Sequence, residues 1–600
     1  MEIIKMKRQP LYRPTRSELL ILLALGLPIT LLTFFNIDRW RGVLIALATI
    51  ILVALIDRIG LTNRFWRILG RIAIRQKLSV TIVSTVALIT SMLCSWYLPP
   101  IPLVHDEYSY LFAAETFASG RLTNPTHPLW EHFETFHILS IPTTASKYPP
   151  AQALFLAAGK ILTGIDISGV WISFAMACAA FCWMLQAWLT QRWAFIGGLI
   201  AALHPFMHYP PNNNYWSWTQ SFWGGNVAML GGCLLFGSLP GIHRKPTAGM
   251  AIAMGAGILL LANSRPFEGA IVCLPAALYL LIWLRREIKK GPIKFHLIHF
   301  ILPISLILFC GTAAMASYNH AVTGSFFRMP NQEHEAQYSS APMFLFQKPN
   351  PNISYRNENF TVMYLKWHFK AFQFQQNLIG WLKWRVIWIN TIIVFFIGPL
   401  GLAMLWLPAA WQRKPVRLAS FAIAPLMGIH QLVLATAPHY LAPAACLFLL
   451  VVVSCLRQLS VMRIGHQKIG RTFTLSLLML LPVCILLSLF QRGRLPPMAN
   501  VYRHNFLHQL EQSDGQHLVI VRYLPSSFSN GFPWVYEWVY NAPDIDNSKV
   551  IWAREMAPEQ NRNLLEYFKN RKKWLIEIGP ETPILKPWPE PAPTPPTFSQ

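Results

Sequence analysis

The sequence predicts a polytopic α-helical membrane protein, with about 13 transmembrane helices, juxtamembrane helices on the outer face, and a small C-terminal α/β domain. Three observations predict it. Of 600 residues, 54% are hydrophobic and only 13% charged, too apolar for a soluble enzyme on a single anchor. Apolar runs of membrane-crossing length recur from residue 18 to residue 489, then stop. The remaining stretch has ordinary soluble composition and is long enough for a small domain.

A span needs roughly 17–25 apolar residues. The runs that meet this are 18–35, 42–58, 79–98, 168–189, 193–209, 222–239, 248–263, 267–284, 296–317, 385–410, 416–436, 440–456 and 472–489. The first follows Lys5, Lys7, Arg8, Arg13 and Arg16 and has the charge pattern of a secretory signal. It lacks a small-residue cleavage site and further spans follow, so it reads as a membrane helix. Residues 1–78 are thus two leading spans and a basic cytoplasmic linker. Residues 79–490 are the membrane core, with outer loops 99–167 and 318–384.

The net charge of +25 sits mainly between apolar runs. The positive-inside rule accounts for it, and no nucleic acid partner is implied. Segment 149–163 decides the sidedness. As a helix it would cover only about 22 Å, and it contains Lys160. If it does not span, the clusters around Arg244, Arg286, Arg413 and Arg463 share the cytoplasmic side with Arg58–Lys77; if it spans, all of them flip. It therefore reads as a juxtamembrane or re-entrant helix. The N-terminus is then cytoplasmic, and the long loops and residues 491–580 are extracytoplasmic. Within 491–580, helices are expected over 498–512 and 558–570, and strands over 517–523, 549–553 and 573–578. Residues 581–600 are proline-rich and expected to be disordered. All nine cysteines lie in apolar runs, which excludes a disulfide framework or zinc motif in the polar segments.

Chemistry-bearing residues gather in the outer loops. Leu98-Pro99-Pro100-Ile101-Pro102 stops the 79–98 helix, and His105-Asp106-Glu107 follows where the chain leaves the membrane. Of two adjacent carboxylates, one can meet a reacting hydroxyl while the other holds a metal or orients a neighbour, and an apolar cavity raises a carboxylate's proton affinity toward that of a general base. The alternative is a solvated loop pair. Glu131, His132, Glu134 and His137 have metal-ligand spacings on a helix, or else form an interfacial amphipathic helix. Lys147, beside the rigid Tyr148-Pro149-Pro150 turn, suits a phosphate or a lipid headgroup. Arg265 and Glu268, in a tight hairpin between spans, either pair locally or leave Arg265 to fork onto a phosphate. His439 and Tyr440 begin another span and could donate to a phosphate or leaving group. The Trp218 region is an aromatic belt or a stacking surface for substrate. Asn352 and Asn359 head two sequons in the second long loop.

The acidic pair Asp106-Glu107 in the first large outer loop, the Tyr148–Pro150 segment, the second long loop and the C-terminal outer domain together resemble the superfamily C glycosyltransferases. The likeness is to the protein O-mannosyltransferase and lipid A aminoarabinose transferase type, as a bacterial branch, over roughly residues 79–490. This resemblance implies a bacterial inner-membrane enzyme. It implies inverting transfer of a sugar from a polyprenyl-phosphate donor to a lipid, glycan or protein acceptor. Asp106 would act as base, Glu107 would assist or hold a metal, and Lys147, Arg265 and His439 would stabilise the departing phosphate. His105, Tyr148, Glu268, Tyr440 and Trp218 complete the expected substrate site. A divalent cation is admitted but not required, and no other cofactor is implied. Other classes compatible with the spans are a transporter or lipid flippase, and a non-catalytic envelope assembly protein. The polar features crowd one face and few charges lie mid-span, which favours the enzyme.

Overall fold

The computed structural model describes residues 39–209, 217–289, 294–435, 437–463, 469–492, 499–524 and 537–589. Among them, eight helices are long and apolar enough to cross a membrane: Gln76–Tyr97, Ile167–Trp188, Asn226–Arg244, Pro266–Ile288, Leu297–Thr323, Leu378–Trp411, Pro438–Leu459 and Ile469–Phe490. Of the other five expected spans, three are cut short for local reasons. Run 18–35 lies outside the described residues, and run 42–58 falls within the helix Arg39–Arg58. Run 193–209 is broken, because His204 precedes a proline and takes extended backbone, which ends the helix Gln191–Ala202 before the short turn Pro205–His208. Runs 248–263 and 416–436 become the 15-residue Ala248–Ala262 and the 16-residue Lys414–Ile429. Segment 149–163 forms Ala151–Thr163, 13 residues or about 20 Å, less than a bilayer core of about 30 Å.

One large apolar core runs through the long helices, with Phe174, Phe181, Met229, Phe396 and Leu450 wholly inside it. The short helix Ala151–Thr163 packs beside this core, in a separate cluster with Tyr110 and Val170, and meets the helix Ile167–Trp188 by a glycine crossing. A Cβ on Gly169 would lie 2.0 Å from the Phe155 carbonyl oxygen, and one on Gly159 would lie 2.2 Å from the Gly169 nitrogen, so only glycine permits the approach. Its first residue is tied to the hairpin at 263: the Ala151 N–H donates to the Asn263 carbonyl at 2.9 Å.

Near the C-terminus a four-stranded sheet forms. Strands β1 (Ile138–Leu139) and β2 (Ala145–Ser146) pair separately in the first polar loop. The larger sheet contains β3 (His517–Tyr523), β4 (Val550–Arg554), β5 (Lys572–Ile578) and β6 (Leu585–Pro587), in the order β4-β3-β5-β6. The first three are parallel, and β6 is antiparallel to β5. Helices Ala499–Gln512 and Pro558–Tyr567 flank it, close to the expected positions. Strand β6 corrects the expectation of disorder from 581: Trp574 pairs with Pro587 and Ile576 with Leu585. Residues 590–600 lie outside the described residues.

This α/β unit is sealed onto the loop that follows residue 98. Phe133 inserts among Leu518, Ile520, Ile551 and Phe568. The rings of Tyr108 and Tyr540 stack with centroids 3.9 Å apart. The Arg554 guanidinium donates to the Glu537 carboxylate at 2.7 Å and to the Glu134 carbonyl at 3.2 Å. Asn359, head of one sequon, is 2% exposed and donates to the same Glu537 carboxylate at 3.0 Å, so the folded chain leaves no room for a glycan there. Arg554→Ala would strand a buried carboxylate, so it should destabilise this junction by about 3–5 kcal/mol. Earlier thermal unfolding and faster proteolysis of the C-terminal unit would show it.

Candidate active site

The site is built on the helix His105–Ala118, which starts where prolines 99, 100 and 102 end the preceding segment. Its first turn carries both carboxylates, favoured there by the positive end of the helix dipole. The two acids then part company. Glu107 is 1% exposed, and both its oxygens are occupied. Oε1 accepts the N–H groups of Leu103 (2.9 Å) and Val104 (3.3 Å), and Oε2 accepts the Phe222 N–H at 2.9 Å. Burial raises its pKa to about 7, with those three backbone donors opposing the rise.

Asp106 faces the other way, with its side chain 21% exposed. The Tyr148 hydroxyl donates to its Oδ1, and His105 Nε2 stands 3.3 Å from Oδ2. His137 Nε2 lies 4.0 Å from Oδ1. Burial, followed by the Asp106 charge, holds the Tyr148 pKa well above its ordinary value, so the phenol is a donor here. Burial outweighs the Asp106 charge at His105 and lowers its pKa to about 4. Burial also pushes His137 well below its usual range, with Lys147 adding to the effect. Both imidazoles are neutral near neutral pH.

His137 reaches this cluster through an uncommon backbone. Its φ is +62°, in the left-handed region that non-glycine residues seldom occupy. The conformation is pinned from both sides of the turn: the Ser109 hydroxyl donates to the His137 carbonyl at 2.6 Å, and the Lys147 N–H donates to it at 3.0 Å. The other metal-ligand candidates point elsewhere. His132 Nδ1 contacts the Arg554 carbonyl at 2.8 Å, Glu134 accepts from Tyr338 and Asn357, and Glu131 accepts from Gln560. The expected helical spacing fails because the helix there is only Trp130–Phe133.

A second group of residues adjoins the first. The Tyr110 ring, one turn beyond Asp106 on the same helix face, stacks on Tyr148 at 4.5 Å. Burial raises the Tyr110 pKa, with Arg265 opposing the rise and Asp106 and Glu268 adding to it. The Arg265 guanidinium lies over the Tyr440 ring at 4.6 Å. Lys147 Nζ is 5.2 Å from the Tyr148 ring centroid; burial lowers its pKa, while Asp106 and Glu335 oppose the fall. His439 is buried, with the Trp223 ring 4.4 Å from its own. Beside Phe222, an apolar groove of about 650 Å³ is lined by Leu93, Trp96, Trp171 and the Phe222 side chain.

Comparison with known proteins finds likeness only to solved structures, at low identity. No family model and no protein of curated function matches the chain. Among solved structures, ArnT from Cupriavidus metallidurans, bound to undecaprenyl phosphate, is similar at 12% identity. That likeness covers 83% of this chain and 92% of ArnT, with a TM-score of 0.43. The oligosaccharyltransferase of Archaeoglobus fulgidus, tethered to an acceptor peptide, is similar at 11% identity, covering 84% and 68% of the two chains with a TM-score of 0.36.

Of the expected site residues, the fold gathers His105, Asp106, Lys147, Tyr148, Arg265, Glu268, His439 and Tyr440 around the Tyr110–Tyr148 stack. Trp218 is a correction. It is 1% exposed and packs on Phe395 at 5.2 Å inside the main core, because the chain turns inward there to let Asn226 bond the Trp218 carbonyl. Trp223, five residues on, is the tryptophan at the site. Tyr215 and Trp216 lie outside the described residues. Sequence reasoning also missed Tyr110, although its i,i+4 spacing from Asp106 was the available signal. Tyr148→Phe removes the donor to Asp106 without changing the ring. Hydrogen bonds to charged groups contribute about 1.5–3 kcal/mol, so it should reduce turnover about 10- to 100-fold with little change in thermal stability.

Proposed function

We propose that the chain is a membrane glycosyltransferase. It moves a sugar from a polyprenyl-phosphate donor to an acceptor hydroxyl on the extracytoplasmic face, with inversion. The observation that carries the reading is the division of labour at the start of one helix: Glu107 is locked in place, while Asp106 stays part-exposed between Tyr148 and His105. Asp106 then takes the acceptor proton, and the helix dipole and the Tyr148 hydroxyl hold its carboxylate in position. Lys147, beside the Tyr148 ring, and Arg265, over the Tyr440 ring, supply positive charge where charge grows on the departing phosphate. The groove beside Phe222 offers an apolar surface to a lipid tail next to that site. The sequence resemblance supports the same class. His439 and Tyr440 complete the phosphate side, and a lipid, glycan or protein can serve as acceptor.

The test is a transfer assay in reconstituted membranes with a panel of polyprenyl-phosphate sugars. Release of polyprenyl phosphate that depends on Asp106 and Arg265 is the expected result. Movement of lipid or solute across the same vesicles, with no release from any donor, would replace the enzyme by the transporter reading.

A further inference from the structure

We propose that a pocket at the end of the molecule opposite the candidate active site binds a phosphate group, presented there by an anionic phospholipid. The helix Gln76–Tyr97 leads to the active-site loop at its last residue, and the pocket lies beyond its first. Its 22 residues put about 33 Å between the two ends. The basic clusters mark this face as the one expected to be cytoplasmic.

The pocket holds about 350 Å³ and is lined by Gly70, Ile74, Thr190, Arg192, Trp193 and Arg457, among others. Three helices meet there: Leu61–Ile74, Gln191–Ala202 and Ala445–Leu459. Two guanidiniums thus line one cavity. Among the described residues, no carboxylate lines it and no ion pair holds either arginine. Arg413 adds further like charge beside Arg457. Gathered cations without a counter-acid repel one another until an anion joins them. The pocket also receives the start of Gln191–Ala202, whose N-cap Thr190 makes no side-chain cap. The first N–H groups of a helix have no partner within it and carry the positive end of its dipole. Gly70 makes room for one arginine, since a Cβ there would lie 2.7 Å from an Arg192 guanidinium nitrogen. Glycine weakens a helix interior, and here it lets the guanidinium lie against the helix.

The helix Leu61–Ile74 favours a lipid as the source of the phosphate. It buries Trp66, Leu69 and Ala73 against the main core, and the Trp66 ring stands 6.2 Å from that of Trp193. Ile68 and Ile74 stay 53% and 68% exposed, among the exposed Arg64, Arg67 and Arg71. Apolar side chains and arginines shared along one short helix suit the interfacial plane of a membrane. Ile74 itself lines the pocket, so an acyl chain passing over it brings its phosphate to the arginines. Arginine forks match phosphate oxygens, and basic pockets between membrane helices on the cytoplasmic side suit anionic headgroups. A free phosphate would leave the isoleucines uncovered. The site is independent of the transfer reading, since none of its residues belongs to the Asp106 cluster.

The experiment is native mass spectrometry of the full chain, delipidated in detergent and titrated with phosphatidylglycerol, phosphatidylcholine or inorganic phosphate. One tightly held phosphatidylglycerol per chain is expected, bound at least about tenfold more tightly than phosphatidylcholine, with a rise in the thermal midpoint. Arg192→Gln and Arg457→Gln should each weaken it about tenfold or more, the usual loss with a charge-assisted contact. Arg286→Gln, an exposed arginine expected on the same face, should not. If Arg457→Gln fails to fold, Arg192→Gln, at an exposed position, still decides. Equal affinity for the two lipids, or phosphatidylglycerol binding unchanged in Arg192→Gln, would overturn the proposal. Displacement of phosphatidylglycerol by equimolar inorganic phosphate would overturn the lipid source and leave a site for a free phosphate compound.

Discussion

Asp106→Asn should lower sugar transfer by about two to four orders of magnitude, the usual contribution of a positioned general base, while the fold survives. The amide has the same shape, and Asp106 is part-exposed, so its loss leaves no buried group stranded. Tyr148 can still donate to the amide oxygen, which keeps the Tyr110–Tyr148 stack in place. The change falls on the one property the proposed mechanism requires, the ability to accept a proton. Turnover should drop with the apparent affinity for the donor nearly unchanged, because Lys147 and Arg265 are untouched. Single-turnover release of polyprenyl phosphate, set beside circular dichroism and the thermal midpoint, checks both halves. Full activity in Asp106→Asn would remove this carboxylate from the chemistry.

Glu107→Ala should act in the opposite manner, on stability first. Three buried backbone N–H groups lose their acceptor at once, and each unsatisfied group costs about 1–3 kcal/mol. A loss of at least about 3 kcal/mol is expected, seen as a lower thermal midpoint in detergent. Activity falls with it, because the helix start that presents Asp106 is no longer tied to Phe222. Glu107→Gln should be intermediate, since its oxygen can serve one side while its NH₂ faces a donor on the other. A stable, folded Glu107→Ala protein with lost activity would instead mark Glu107 as a direct participant in the reaction.

The adjacent acids show what the sequence could and could not tell. Their position after a proline-stopped span marked the site. Their separate duties depend on the Phe222 N–H, 115 residues away, which no local pattern announces. Long apolar runs read well, and eight of them form helices of crossing length. The runs that misled were those cut by His204-Pro205 or by tight hairpins, where local backbone restrictions shorten a helix that hydropathy alone would continue. His137 was legible as a metal-ligand type, but its place beside Asp106 comes from a left-handed residue and not from helical spacing. Trp218 and Trp223 look interchangeable in a tryptophan-rich stretch. Only the inward turn of the chain sends the first to the core and the second to His439. The strands β3, β4 and β5 followed from alternation, whereas β6 was hidden by its prolines.

The junction between the early acidic helix and the late sheet has a consequence for biosynthesis. Arg554 reaches back 420 residues to Glu134, and Asn500 reaches back 397 residues to Leu103, just before the reactive turn. A ribosome therefore releases the Asp106 helix long before the part that braces it exists. The nascent chain passes through most of its synthesis with that helix uncovered on one side, and gains its braced geometry only near termination. Truncated products lacking the last strands should thus be inert even if correctly threaded, so that a premature stop yields a silent protein in place of an unregulated one.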